Sequence, residues 1–478
     1  MKQPYFAEYF KDKRVTIMGL GLLGRGVGDA AFIAQYAKEV CVTDIKSAEQ
    51  LALSVKKLEK FKNIRFVLGK HRVEDFIRAD IVVKGAGVPL DSPYIAAAEK
   101  AGVHITMSSA LFMKAFHGAG VRLIGVTGTR GKTTTVALIH HVMSHYDSRK
   151  KERVYLAGNI QGISTLALAD KVKAGDTVVL ELDSWQLQGC AYEKVSPHIA
   201  AFTNLLPDHM NYYASKPSQY RQDKANIFLF QKPGDVCVFG SDCGPIVKAF
   251  SKRIKSKVIL AKRGLPGGMS LGLKGEHVEY NAAVAIEVCK QAGIPKDAIA
   301  YGCKTFTGVP GRFELMGVQN AVTFINDTTS TTPAALIAAS QAASAHRFKK
   351  IAWIIGGADK QIPIAEFKPF IAALRAGDVC ISLPGTGTDK LLPLMQKHLG
   401  KKRAQELLQV STMREAVTTA YAHLHGHTGA ACILSPGFAS FGLFTNEYDR
   451  GEQYNKAVKA LVRPKRKTER SARGKEME

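Results

Sequence analysis

The sequence contains no apolar run of about 18 residues, the length a membrane-crossing helix needs, and a membrane span is therefore excluded. The first ten residues, Met1 to Phe10, hold no apolar core of a secretion signal. Eight cysteines are scattered without a CxxC or a paired framework. That argues against a disulfide scaffold and for reduced thiols in a cytoplasmic protein. No internal repeat with a period of roughly 20–50 residues is present, so a solenoid is excluded. Acidic residues are in deficit: 41 Asp and Glu stand against 66 Lys and Arg, a net charge of +25. Part of this excess lies in a polar tail from Arg463, with Lys465, Arg466 and Lys467, whose composition predicts disorder. No nucleic-acid-binding motif accompanies the charge. It is read as a solvated tail on a protein with anionic substrates, with contact to nucleic acid or an anionic membrane as the alternative.

What is present is a chain of 478 residues, 46% hydrophobic, enough for about two to four globular domains. Its most informative stretch is Gly125-Val-Thr-Gly-Thr-Arg-Gly-Lys132-Thr133-Thr134-Thr135, read as a phosphate loop closing on Gly-Lys-Thr. An apolar run, Val121 to Val126, precedes it, and a helical pattern from Thr134 to Met143 follows. In that context Gly128, Thr129, Arg130 and Gly131 would curl backbone N–H groups around phosphate oxygens. Lys132 would reach the β- and γ-phosphates and Thr133 would ligate Mg2+. The helix N-terminus opening at Thr133 and Thr134 adds a favourable dipole. The alternative is an ordinary Gly/Thr-rich turn.

Upstream, the strand Arg14 to Met18 runs into Gly19-Leu-Gly21-Leu22-Leu-Gly24, a GxGxxG, and a second strand, Glu39 to Thr43, ends at Asp44. This is the dinucleotide-type βαβ fingerprint, with Asp44 placed to meet a sugar or base. Glycines that serve packing alone are the alternative. Further strands are predicted at Ile64 to Leu68, Ala79 to Lys84 and Val103 to Met107, closing a first domain near Gly118. A second domain, to about Gly308, has strands at Thr177 to Leu182 and His198 to Thr203. A third has strands at Ala321 to Ile325, Lys350 to Ile355, Asp378 to Leu383 and Ala431 to Leu434. Between them lies an Ala-rich helix from Ala334 to Ala345. Alternating strands and helices predict parallel sheets covered by helices.

Two polar clusters sit at strand ends of the second domain. In Glu181-Leu-Asp183-Ser184-Trp185-Gln186, Glu181 is placed to share a metal with Thr133; an ordinary surface carboxylate is the alternative. In Asn204-Leu-Leu-Pro-Asp208-His209-Met-Asn211 an Asp-His pair suggests a site, although a lone histidine is more often structural. Lys224, fifteen residues on, reads by composition as a solvated helical lysine.

Taken in order, these motifs resemble the Mur ligase family, together with Gly308-Val-Pro-Gly-Arg312-Phe-Glu314, Asn326-Asp327 and Leu434-Ser-Pro-Gly-Phe-Ala-Ser440-Phe441. The resemblance runs to about Leu461. It implies an α/β chain of three domains: a Rossmann-like N-terminal domain (1–118), a central P-loop ATPase-type parallel sheet (119–308) and a C-terminal Rossmann-like α/β domain (309–462). A basic tail (463–478) follows. It further implies an ATP-dependent amide ligase of peptidoglycan synthesis, similar to the members that join D-glutamate to UDP-N-acetylmuramoyl-L-alanine through an acyl-phosphate. By matching position, Lys132, His209 and Lys224 would be catalytic. Two Mg2+ ions would be held by Thr133, Glu181, His209 and Lys224, the last as a carbamate. Asn281, Arg312 and Asp327 would contact ATP. Gly21, Leu22 and Asp44 would meet the UDP end of the substrate, and Asn159 and Ser184 other parts of it. Thr331, Lys360 and Ser440 would surround the glutamate carboxylates. The implied enzyme is a cytoplasmic monomer with no obligate nucleic acid and no membrane span.

The sequence departs from the family pattern at Thr329, where the D-glutamate-adding members often carry lysine, and at Val278, Asp183 and Glu447-Tyr448. A ligase adding L-glutamate or another amino acid, or a folylpolyglutamate-type ligase, is therefore a reading of the same chemistry. A nucleotide-dependent nucleic-acid-binding protein accounts for the charge. An NAD-dependent oxidoreductase accounts for GxGxxG but leaves the phosphate loop and Glu181 without a role.

Overall fold

The computed structural model describes residues 4–22, 24–147, 152–160, 162–206, 212–213, 216–273 and 275–462. The chain divides into two compact units, one of Met1–Gly272 with Glu276–Phe306 and one of Leu273–Gly275 with Thr307–Glu478.

The first unit holds two parallel sheets. One is built from β1 (Arg14–Met18), β2 (Glu39–Asp44), β3 (Ile64–Leu68), β4 (Ile81–Lys84) and β5 (His104–Thr106) in the order β3-β2-β1-β4-β5. The other contains β6 (Arg122–Thr127), β7 (Val154–Gly158), β8 (Thr177–Glu181), β9 (Ile199–Phe202), β10 (Val236–Phe239) and β11 (Lys257–Leu260), ordered β11-β10-β9-β6-β8-β7. Their central strands are near-continuous apolar runs buried on both faces, such as Leu123, Ile124 and Val126 of β6. Parallel strands covered by crossover helices require that pattern. In both sheets the strand order reverses beside a glycine-rich loop, at the β1/β4 and β6/β8 switch points where α/β folds bind ligands.

One hydrophobic core runs through both sheets, which is why they form a single unit. The helix Ser108–Phe116 contributes Ala110, Leu111, Phe112, Met113 and Phe116 to it. A short helix not anticipated from the sequence, Pro4–Phe10, adds Phe6 and Phe10, and Phe6 meets Phe32 edge to face at 5.0 Å.

The second unit has one sheet, β12 (Glu314–Gln319), β13 (Val322–Asn326), β14 (Lys350–Ile355), β15 (Val379–Ser382), β16 (Leu407–Gln409) and β17 (Ala430–Leu434), ordered β12-β13-β17-β14-β15-β16. Only β12 is antiparallel. It joins β13 through a two-residue turn with Asn320 (φ 46°) and Ala321 (φ 65°) both left-handed, the turn whose twist suits a tight hairpin. Alternate residues of each strand feed separate cores on the two faces: Ala352 and Ile354 one, Ile351, Trp353 and Ile355 the other.

The predicted strands fall within a residue or two of their observed positions, and the helix predicted over Thr134 to Met143 spans Lys132–Asp147. All eight cysteines are buried and unbridged. Among the described residues no helix is long and apolar enough to cross a membrane.

Candidate active site

The phosphate loop leaves β6 at Thr127 and enters the helix Lys132–Asp147. Two of its glycines are dictated by geometry. Gly128 (φ 143°) lies so close to Thr203 that a Cβ would collide with the threonine hydroxyl. Gly131 (φ 82°) is pressed in the same way against the side-chain amide of Asn281. Gly125, by contrast, is a residue of β6 and outside the loop. Five residues separate it from Gly131, one more than the phosphate-loop template has. Its missing side chain makes room for Pro197 and Leu182.

The end of β9 holds the loop in shape. Thr129 N–H donates to the Asn204 carbonyl (2.9 Å), Arg130 N–H to Asn204 Oδ1 (2.9 Å), and Thr203 Oγ1 to the Arg130 carbonyl (2.6 Å). Thr129 Oγ1 meets the Tyr220 hydroxyl at 3.0 Å. Asn204 thus supports the loop backbone, a role its sequence motif did not disclose.

Two lysines converge on this loop. Lys132 Nζ donates to the carbonyls of Gly128 (3.1 Å) and Thr129 (3.2 Å). Lys224 Nζ, from the helix Pro217–Leu229, donates to the same Gly128 carbonyl at 2.7 Å and lies 4.9 Å from the Tyr220 ring centroid. Lys224 is 2% exposed, which overturns its reading as a solvated lysine. Glu181 ends β8 in register with Val126 of β6 and is 4% exposed. Its Oε2 has no hydrogen-bond partner among the described residues. A buried, unpartnered carboxylate oxygen is the hard donor that Mg2+ takes, so the residues present fit a magnesium nucleotide. Thr133 and Thr134 lie half-buried in the first turn of the helix. His209 lies outside the described residues, and among the described ones no three His, Cys, Asp or Glu gather as a metal cluster.

The GxGxxG loop carries Gly19, Gly21 and Gly24 at φ of 102°, 65° and 82°, conformations that favour glycine. Asp44 is buried. Its Oδ2 accepts from Leu20 N–H (2.9 Å) and Gly21 N–H (3.0 Å), and its Oδ1 from Lys46 N–H (2.9 Å). From the end of β2 the carboxylate therefore braces the GxGxxG loop that follows β1. Leu22 beside it is 61% exposed. Arg25, which the sequence reading passed over, donates through Nη1 to Asn159 Oδ1 at 2.5 Å. Asn159 N–H in turn donates to the Glu181 carbonyl (2.7 Å). Ser184 is buried in the same region of the chain.

A second unforeseen network starts at Lys84, the last residue of β4. Its buried Nζ donates to Gln188 Oε1 (2.6 Å), and Gln188 Nε2 to Asp223 Oδ2 (2.8 Å), which also accepts from the Tyr213 hydroxyl (3.1 Å). Burial pulls Lys84 down to about 8 and pushes Asp223 up. Asp223 adjoins Lys224, so this network anchors the helix that presents it.

In the second unit, Asp327 follows β13. Its Oδ1 accepts from Phe313 N–H (3.0 Å) and its Oδ2 from Ser435 Oγ (2.8 Å). Burial raises its carboxyl to about 7, although both bonds act the other way. Arg312, exposed, precedes Phe313. Lys360 Nζ donates to Thr331 Oγ1 at 2.8 Å. A bridge between Ala358 and Ala439 brings the buried Ser440 into the same neighbourhood.

Three family models match the sequence: Mur ligase MurD-like N-terminal domain over residues 13–107, Mur ligase middle domain over 126–264, and Mur ligase glutamate ligase domain over 311–436. The UDP-N-acetylmuramoylalanine--D-glutamate ligase of Roseiflexus sp. (strain RS-1) is 33% identical, with 94% of this chain and 99% of that protein covered. The chain belongs to the Mur ligase family. The protein of the same name from Borreliella afzelii is also 33% identical, over 94% of this chain and 98% of its own. Among solved structures, the UDP-N-acetylmuramate-alanine ligase MurC of Thermotoga maritima shares the Mur ligase fold at a TM-score of 0.58 and 20% identity, covering 94% of this chain and all of that one. A folylpolyglutamate synthase of Mycobacterium tuberculosis, complexed with ADP and AMPPCP, shares it at 0.52 and 16%, covering 74% and 94%.

Within this Mur ligase fold, Lys132, Lys224, Asn281 and the loop glycines gather at the β6 end. Gly21 and Leu22 lie in the loop after β1, which Asp44 at the end of β2 braces, and Thr331, Lys360 and Ser440 lie together in the second unit. Arg25, Lys84, Gln188 and Asp223 went unnoticed in the sequence. Arg25 directly follows Gly24 and Asp223 directly precedes Lys224, but their partners lie 134 and 35 positions away, and only the fold discloses them.

Proposed function

We propose that the protein is an ATP-dependent amide ligase of peptidoglycan synthesis that adds D-glutamate to UDP-N-acetylmuramoyl-L-alanine. Full-length likeness to proteins bearing that name supports the substrates. The observation that carries the chemistry is the meeting of Lys132 and Lys224 on the Gly128 carbonyl, in the unit where Glu181 keeps a carboxylate oxygen with no partner among the described residues.

In this reading residues 1–118 bind the UDP substrate, 119–308 bind ATP and 309–462 bind the amino acid, with 463–478 a solvated tail. Gly128, Thr129, Arg130 and Gly131 present backbone N–H groups to the phosphates, and Lys132 turns from the loop carbonyls to the γ-phosphate. Thr133 and Glu181 hold Mg2+, with His209 and a carbamylated Lys224 holding a second ion. When bound, these ions neutralise crowded phosphate charge. Two ammonium groups on one carbonyl repel each other; a carbamate at Lys224 removes that conflict and supplies an anionic oxygen. Asn281, Arg312 and Asp327 serve the nucleotide. Leu22 and Gly21, braced by Asp44, serve the uridine end, and Asn159 and Ser184 the remainder of that substrate. Lys360, Thr331 and Ser440 recognise the incoming carboxylates. The substrate's terminal carboxylate takes the γ-phosphate and ADP departs. The amine of glutamate then displaces phosphate from the acyl carbon. The enzyme acts as a cytoplasmic monomer without nucleic acid.

ADP release measured with UDP-N-acetylmuramoyl-L-alanine and a panel of amino acids tests this. D-glutamate is expected to support turnover. Turnover with L-glutamate and none with D-glutamate refutes the substrate assignment. Thr329, which departs from the family pattern, bears on that choice: its hydroxyl donates to the Gly311 carbonyl (3.0 Å).

A further inference from the structure

Arg450 is the largest fully buried side chain of the protein among the described residues, at 0% exposure. It lies in the first turn of the helix Glu447–Val462, where the helix dipole disfavours a cation, and among the described residues it forms no ion pair. Burial pulls it down to about 10, partly offset by the charges of Glu447 and Asp327. An arginine kept in such a place needs strong compensating bonds. It has three, all in the planar fork that distinguishes arginine from lysine. Nε donates to Thr328 Oγ1 (3.2 Å), Nη2 to the Thr328 carbonyl (2.7 Å) and Nη1 to the Phe438 carbonyl (3.1 Å).

The two residues it joins belong to different segments. Thr328 directly follows Asp327, and Phe438 stands two residues before Ser440. Neighbouring contacts strengthen the first attachment. Thr328 Oγ1 donates to the Glu447 carbonyl (2.6 Å), and Gly451 packs so closely on Thr328 that a Cβ there would approach the threonine methyl to 2.7 Å. On the other side, Phe438 is fixed by stacking on Phe367 at 4.6 Å. The guanidinium is thus a rigid tie between the turn after β13 and the loop after β17.

We propose that Arg450 is a positioning residue that locks the Asp327–Thr328 turn to the Phe438–Ser440 loop, setting the nucleotide contact and the amino-acid contact of this unit at a fixed separation. The proposal rests on the assignment of Asp327 to ATP and Ser440 to the amino acid.

Arg450→Lys keeps the charge but cannot serve both loops. It is expected to raise KM for glutamate about tenfold and KM for ATP severalfold, leaving KM for the UDP substrate within about twofold. Thr328→Val, which deletes the acceptor of Nε while keeping side-chain shape, gives the same pattern in weaker form and serves if the lysine variant does not fold. Unchanged KM values for glutamate and ATP overturn the proposal; so does an equal rise in all three, the mark of general loosening. Hydrogen exchange provides a readout independent of the reaction. In Arg450→Lys, amides of 327–331 and 437–440 must speed up together while β14 and β15 stay protected; acceleration of one segment alone overturns the tie. Wild-type enzyme inactive with D-glutamate refutes the function proposed above, whereas coupled acceleration of both segments in Arg450→Lys still sustains the tie.

Discussion

Replacing Glu181 by Gln should change stability and activity in opposite directions. The carboxylate is 4% exposed and its Oε2 has no donor among the described residues. Leaving such an oxygen unsatisfied costs about 1–3 kcal/mol, and more if charged. The amide has the same shape and lacks the charge, so the cost of burying an unpaired anion is removed. Without metal, Glu181→Gln is therefore expected to be as stable as the wild type or to gain about 1 kcal/mol. With Mg2+ and ATP the order reverses. The wild type gains stability from the bound complex by mass action, about 2.7 kcal/mol at a hundredfold excess over Kd. The variant, short of one anionic ligand, gains much less. Its kcat should fall about 100–1000-fold, the effect of losing a group that stabilises transferring charge. Thermal melts in EDTA and in a Mg2+–ATP titration, alongside a coupled ADP-release assay, read all three quantities. A variant that melts well below the wild type in EDTA, or one that keeps activity within about threefold, refutes the assignment of Glu181 as a metal ligand.

Lys224→Ala is expected to lose about 1000-fold in kcat and to recover part of it with formate or acetate; full activity without either excludes the carbamate. Asp327 makes the second unit less stable as pH rises. Its folded carboxyl, raised to about 7 from 3.8, retains a proton that the unfolded chain has given up, so stability is greatest below about 4 and declines up to about 7. Asp327→Asn should remove that slope from denaturant midpoints measured across the interval, and an identical slope in both proteins counts against it. Asp44→Ala should release the Leu20 and Gly21 amides, lowering stability by about 1–3 kcal/mol and raising KM for the UDP substrate with little change for ATP. A selective rise for ATP instead points to a different role for the GxGxxG loop.

Much of this architecture could be read from the chain because it is written locally. Parallel strands buried on both faces leave apolar runs such as Arg14–Met18 and Lys350–Ile355, and these were placed to the residue. Not anticipated from the sequence are the edge strands β7, β11, β12 and β16, the buried β10, and the helix Pro4–Phe10, whose aromatic residues pack on Phe32 and Phe116. The phosphate loop was recognised, although Gly125 belongs to the strand.

The sequence by itself determined the order of sheets, the two glycine-rich loops and the family, because glycine spacing and apolar periodicity are properties of contiguous residues. Only the tertiary structure decided which side chains act together. Lys224 reaches Gly128 across 96 positions, Lys84 meets Gln188 across 104 and Arg450 binds Thr328 across 122. A buried polar group must find its partner wherever sheet register and helix packing place one, and no local pattern encodes that address. The same reason ties Asp44 to the loop after β1: the N–H groups of Leu20 and Gly21, 24 and 23 positions away, satisfy a carboxylate that packing has taken out of water.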